Sequence, residues 1–205
     1  MKPRKLYLVF PILIFITLLS CNNQKTKEPE FKRLNRWLDY YDLSLNHFTD
    51  TLIINDNYSF KTKTDTLSPH FKLFSNLYIY SSQKEYAVDL DSYYLVLEKN
   101  HDGRYVCLGT DADQEIALIN LKNQERQRII FCGTACRAEE AQWIDNNKTI
   151  LIMGFSQPTN TWIPTIWVFN LGNKSLKVIK TYKVQINKKP NSYNKAVRLN
   201  DIVFK

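Results

Sequence analysis

A mainly antiparallel all-β chain with one amphipathic helix at its N-terminal side is the fold class this sequence predicts, on three observations. Aromatic residues make up 13% of the 205 positions while glycine occurs five times, and β-branched residues crowd the chain after residue 50. That composition suits pleated, half-buried surfaces better than helices. Short apolar runs also alternate with clusters of Asn, Asp and Gly at the spacing of strands and turns. Finally, two later stretches share one four-strand outline.

In chain order, the first segment is an address rather than a fold. Lys2, Arg4 and Lys5 precede an apolar stretch over residues 6–19 that only Pro11 and Thr17 interrupt, the layout of a secretory signal. As a helix it would span roughly 21 Å, short of the roughly 30 Å of a bilayer core. It closes on Leu18-Leu19-Ser20-Cys21, which resembles the lipobox of bacterial lipoproteins. The resemblance implies that residues 1–20 are a signal peptide and that Cys21 becomes the acylated N-terminus. It also implies a protein lipid-anchored to a membrane of the bacterial cell envelope; the stretch after Cys21 has no early acidic cluster, which points to the periplasmic side rather than the cell surface. Residues 21–30 are polar and read as a flexible tether, which leaves residues 31–205 for one β domain.

The domain opens on a helical stripe. Phe31, Leu34, Trp37, Leu38, Tyr41 and Leu45 recur on one face, with Lys32, Arg33, Arg36 and Asp39 on the others. Candidate strands follow at 51–54, 58–61, 77–80 and 85–89, with Asn55-Asp56-Asn57 as a turn between the first two. Two similar units come next. The first, at 93–131, places strands at 93–98, 104–109, 116–121 and 128–131; the second, at 141–183, places them at 141–144, 149–154, 165–171 and 176–182. Their third strands stand 50 positions apart and share the outline Ile-x-apolar-apolar-Asn-Leu, from Ile116 to Leu121 and from Ile166 to Leu171. Four strands at this period, with Asn after the third, resemble β-propeller blades. The resemblance implies a truncated or open relative of such repeats, or two units stacked as a sandwich.

Charge and motifs narrow the chemistry. The net charge of +8 includes three cations before Cys21 and no acidic residue there, so the mature chain carries 8 − 3 = +5. Its basic residues are spread along the sequence, which is no nucleic-acid footprint. His101 lies in the turn Asn100-His101-Asp102-Gly103, where polarity is wanted anyway. Asp111, Asp113 and Glu115 alternate as in a calcium loop, but Ile116 and Lys122 stand where Gly and a bidentate Glu are needed. Glu139 and Glu140 are adjacent, and alternation on a strand would point them to opposite faces, so they are not expected to form a facing acid pair. No catalytic, metal or cofactor motif is read.

Three cysteines remain. In an oxidising compartment Cys132 and Cys136 are expected to pair, with Gly133 between them easing the turn, while Cys107, mid-strand, reads as a buried thiol. Trp162, between Pro158 and Pro164 in the longer loop of the second unit, is the candidate binding residue; its alternative is to fold back on its own sheet. The function expected is non-catalytic binding of an envelope protein or glycan near the membrane. An envelope hydrolase and an accessory subunit of an envelope assembly are the alternatives.

Overall fold

The structure, a computed structural model, describes residues 31–54, 64–158, 160–182, 184 and 186–205. The signal segment, Cys21, the tether, the 58–61 strand and the turn before it lie outside the described residues. Helix α1 (Lys32–Tyr40) precedes β1 (Asp50–Ile54), β2 (Thr64–Thr66), the short helix α2 (Pro69–Leu73), β3 (Ile79–Tyr80) and β4 (Tyr86–Asp89). Strands β5 (Leu95–Lys99), β6 (Tyr105–Thr110), β7 (Gln114–Asn120) and β8 (Glu125–Cys132) follow, then β9 (Cys136–Ile144), β10 (Thr149–Ser156), β11 (Ile163–Asn170) and β12 (Ser175–Lys180). A π-helical turn (Asn194–Arg198) and β13 (Val203–Phe204) end the chain.

Three open sheets result: β1-β12-β11-β10-β9, β2-β8-β7-β4-β3, and β13-β6-β5. All pairings are antiparallel except β13 on β6. The second unit is the meander β9 to β12, with β1 added on its outer edge. The first unit is not a meander over 93–131. Its opening hairpin, β5–β6, joins β13 in a separate sheet, and β7 pairs instead with β4 through Tyr86↔Asn120 to Asp89↔Ala117. The internal repeat is therefore β3-β4-β7-β8 against β9-β10-β11-β12, with the β5–β6 hairpin inserted between the second and third strands of the first copy.

Backbone detail supports that equivalence. Asn120 Oδ1 accepts from the amides of Lys122 and Asn123 at 3.1 Å each, and Asn170 Oδ1 from those of Gly172 and Asn173 at 2.9 and 3.2 Å. Gln124 and Lys174, four residues after each Asn, both take the left-handed conformation, φ 55° and 52°. The Leu121 amide donates to the Glu85 carbonyl as the Leu171 amide does to that of Lys148. The Asn-Leu signature of the sequence is thus an Asx turn that ends the third strand.

The two five-stranded sheets pack face to face. Ile150 and Ile152 of β10 and Trp167 and Phe169 of β11 meet Val88, Ile116, Leu118 and Ile130 across the interface. Their neighbours Leu151, Met153 and Ile166 point the other way, against α1 and the C-terminal segment. Ala87 and Ile119 likewise turn from the first layer to meet Leu95, Leu97 and Cys107 of the three-stranded sheet. Each central sheet is thus covered on both faces, which is why β10 reads as an unbroken apolar run rather than an alternation. Each such aliphatic side chain contributes roughly 1.5–3 kcal/mol of burial.

Helix α1 buries Leu34, Trp37 and Leu38 on the outer face of β9 and β10. It stops sooner than its apolar stripe predicts. Asp42 takes φ 55°, the Leu43 amide reaches back to the Leu38 carbonyl at 2.9 Å and that of Asp42 to Asp39 at 3.3 Å. This is a Schellman ending with aspartate in the place usually held by glycine. Beyond it Leu45 leaves the stripe and is 51% exposed.

Candidate functional site

Strand β9 carries the most unusual chemistry of the domain. Its register on β10 runs Met153↔Glu140 and then Gly154↔Ala138, so Glu139 is the extra residue of a β-bulge. Gly154 makes this possible: a Cβ there would stand 2.0 Å from the Arg137 carbonyl oxygen and 2.8 Å from the Ala138 Cα. The bulge cancels the alternation expected for adjacent strand residues. Glu139 and Glu140 both face α1 and the C-terminal segment, and both are fully buried.

Every oxygen of the two carboxylates is occupied. Glu139 Oε2 accepts from Trp37 Nε1 at 2.8 Å, and Oε1 from the Tyr41 hydroxyl at 2.8 Å and from the Asn191 amide. Glu140 Oε1 takes Arg33 Nη1 at 3.0 Å and the Ala141 amide at 3.0 Å, while Oε2 takes Arg36 Nη2 and the Tyr193 hydroxyl, each at 2.9 Å. Two residues on, Gln142 Oε1 accepts from the amides of Arg33 and Leu34 at 2.9 and 3.0 Å. A strand side chain thereby satisfies the first amides of α1, whose own N-cap residue offers no side-chain bond. The acidic pair and Gln142 together staple helix and C-terminal segment to the sheet.

Arg198 extends the staple. Its Nη1 and Nη2 meet Asp91 at 2.6 Å each, and its Nε reaches the Glu139 carbonyl at 2.7 Å and Asn194 Oδ1 at 3.0 Å. Burial opposes the Arg198 charge, but Asp91 more than compensates and its pKa is raised. A second network lies between the layers on the other side. Arg126 pairs with Glu115 and, at 3.3 Å, with Asp89, while Arg128 meets Glu115 at 3.3 Å. The Arg126 guanidinium also rests 4.4 Å from the centre of the Phe71 ring. Glu115 is consequently a buried ion-pair partner in β7 and not the third acid of an open loop; Asp111 stays exposed and Asp113 is half-buried.

Burial pushes the Glu139 carboxyl up to about 7, against the opposing pull of its three donors and of Arg198. The sign follows from linkage: a carboxyl whose folded pKa lies above its unfolded value stabilises the fold fully below the unfolded pKa, near 4.5, and loses that contribution as pH rises through 7. The loss between pH 4 and pH 8 is of order 3 kcal/mol. Urea unfolding is expected to show it as a falling midpoint, and Glu139→Gln as a flatter pH profile from a lower starting stability. An unchanged slope in Glu139→Gln would assign the titration elsewhere.

The other sequence-predicted residues are dispersed. Cys132 and Cys136 form a disulfide across the β8–β9 corner with Cα atoms 5.0 Å apart. Cys107 is a buried free thiol. His101 is exposed in the β5–β6 turn. Trp162 is half-buried, folded against the α1 cluster, so only part of its ring faces solvent. Among the described residues no three His, Cys, Asp or Glu side chains are grouped as a metal site, and no helix is long and apolar enough to cross a membrane.

An open cleft lies between the two five-stranded sheets at their repeat turns. Leu118 and Phe169 form its floor, Tyr86 a wall, and Glu125, Gln127 and Lys174 its rim. Tyr86, Asn120 and Glu125 form one cross-strand row, and Lys174 comes from the equivalent turn of the other sheet. Sequence reading missed this cleft together with Arg198, Asp91 and Tyr193, all of which act across layers. One signal was visible: a lone glycine inside a strand, Gly154, marks a bulge. No protein-family profile, no curated protein and no solved structure matches the chain.

Proposed function

We propose that the chain is a lipid-anchored protein of the bacterial envelope whose β domain is a recognition module, holding a glycan or protein partner near the membrane. The observation that carries the binding reading is the full occupancy of the buried acid pair. With all four oxygens of Glu139 and Glu140 bonded to protein donors and both side chains fully buried, the pair works as a structural fastening and is out of a substrate's reach. A hydrolase reading would need an open pair at 5–9.5 Å or so. Recognition then falls to the surface. The aromatic and aliphatic floor of the cleft, with carboxylate, amide and ammonium groups around it, suits an apolar sugar face with polar substituents.

Within this reading the two meanders are propeller-like blades packed face to face, supported by their matched Asx turns. They are closed by α1 on one side and by the three-stranded sheet on the other, not by further blades. The anchor rests on Leu18-Leu19-Ser20-Cys21. Metabolic labelling with a fatty acid is expected to mark the chain, and Cys21→Ser to abolish the label; an unlabelled wild-type chain would remove the anchor from the account. For the cleft, Glu125→Gln with Lys174→Met is expected to weaken retention on peptidoglycan fragments by about tenfold without changing thermal unfolding. Turnover of those fragments by the wild-type chain would replace binding with hydrolysis.

A further inference from the structure

The charge of the mature chain is concentrated in one layer. Residues 31–49 and 186–198, which include α1 and the segment packed beside it, hold seven basic residues (Lys32, Arg33, Arg36, Lys188, Lys189, Lys195 and Arg198) and two acidic ones (Asp39 and Asp42), a net of 7 − 2 = +5. The mature chain as a whole carries +5, so everything else sums to 5 − 5 = 0. Even with Glu139, Glu140 and Asp91, the buried acids that face its arginines, counted against it as full charges, this layer stays at 5 − 3 = +2.

The two segments form one surface. Lys188 Nζ donates to the Tyr40 carbonyl and lies 4.3 Å over the Tyr40 ring, and Tyr40 meets Tyr193 edge to face at 5.4 Å. Lys32, Lys188 and Lys189 are exposed on it, and Phe31, at the head of α1, is 40% exposed. The layer is also where the anchored end enters the domain. Ten residues separate Phe31 from Cys21, and fully extended they reach at most about 35 Å.

We propose that this layer is the face on which the domain rests against the membrane, its lysines on anionic phospholipid headgroups and Phe31 at the interface. The proposal builds on the lipid-anchor reading above. The acyl chains hold the protein to the bilayer, and the basic layer sets which side of it faces the lipid. Each cation near an anionic surface adds attraction that falls off within a Debye length, so a concentrated layer orients the domain where a diffuse +5 would not.

The test uses the full lipid-modified chain, purified from membranes and reconstituted on vesicles of phosphatidylcholine alone or with about 30% phosphatidylglycerol. Flotation reports anchoring; the rates of chemical acetylation of Lys188 and Lys189, against Lys122 in the β7–β8 turn, report docking. The expected result is flotation on both vesicles. Lys188 and Lys189 should be acetylated about tenfold more slowly on the anionic ones, with Lys122 unchanged and the protection lost at about 0.5 M salt. Flotation on both with equal acetylation overturns the docking face and leaves the anchor standing. Flotation only on anionic vesicles, reversed by salt, removes the anchor and supports the docking face. Flotation on neither removes both.

Discussion

Gly154→Ala is expected to destabilise the domain by about 3 kcal/mol or more. The added carbon would lie 2.0 Å from a carbonyl oxygen and 2.8 Å from a Cα. Both belong to backbone, so no side chain can swing away to make room. Relief requires β9 to shift against β10, and a shift that removes the bulge would restore strict alternation. One of the two glutamates would then be driven into the apolar interface between the sheets, away from Trp37, Tyr41 and the arginines of α1. Chemical denaturation of Gly154→Ala checks the magnitude. The same substitution at Gly109, where an added Cβ meets nothing within 4 Å, is expected to cost far less and controls for a generic glycine effect. Equal losses at the two positions would refute the bulge account.

Arg198→Met is the second large effect, at about 3–5 kcal/mol. Arg198 supplies both side-chain hydrogen bonds of Asp91, which is 1% exposed. Its removal would strand a carboxylate in the interior and also free the Glu139 carbonyl at the bulge. A charge left alone in a dry site costs more than the pair contributes when intact. The diagnostic is therefore the double change: Asp91→Asn with Arg198→Met should recover a substantial part of the loss, giving a coupling energy well above experimental error in a thermodynamic cycle. Strict additivity of the two substitutions would show that Arg198 acts through its contacts with Glu139 and Asn194 alone. Because Arg198 lies in the C-terminal segment, the single change is also expected to loosen residues 191–198, visible as faster amide exchange there.

These two positions also show what a linear reading can and cannot reach. A glycine inside an apolar run was a legible sign of irregular pairing, yet the bulge it permits is a one-residue excess of β9 over β10, and an excess is defined only once the partner strand and its register are known. Arg198 carried no sequence signal at all, since one arginine near the end of a chain looks like any solvated cation. The same limit explains the misplaced first unit. Residues 93–98 and 104–109 form a sound hairpin, and β7–β8 form another. The three-residue link Asp111–Asp113 between them looks like a turn, whereas the chain there passes from one sheet to another. The edge of β7 is taken by β4, some 30 positions earlier. The α1 stripe was readable because Leu34, Trp37 and Leu38 lie on one helical face, but its end was not, because it depends on Asp42 accepting a backbone conformation in which glycine is the usual occupant.

By itself the sequence determined the local things: which apolar runs between residues 95 and 180 are strands, where the Asn-led turns fall, which cysteines lie close enough to join, which face of α1 is apolar, and the Asn-Leu outline shared by the third strands of both repeats. Those follow from interactions between residues a few positions apart, which periodicity and turn chemistry record directly. Only the tertiary structure decided which sheet each hairpin joins, that Glu139 and Glu140 face the same way, and that the basic residues of the two chain ends gather into one layer. Such outcomes depend on pairing between segments as much as 150 positions apart. Alternation encodes the face a side chain takes on its strand, but not the edge to which that strand is added.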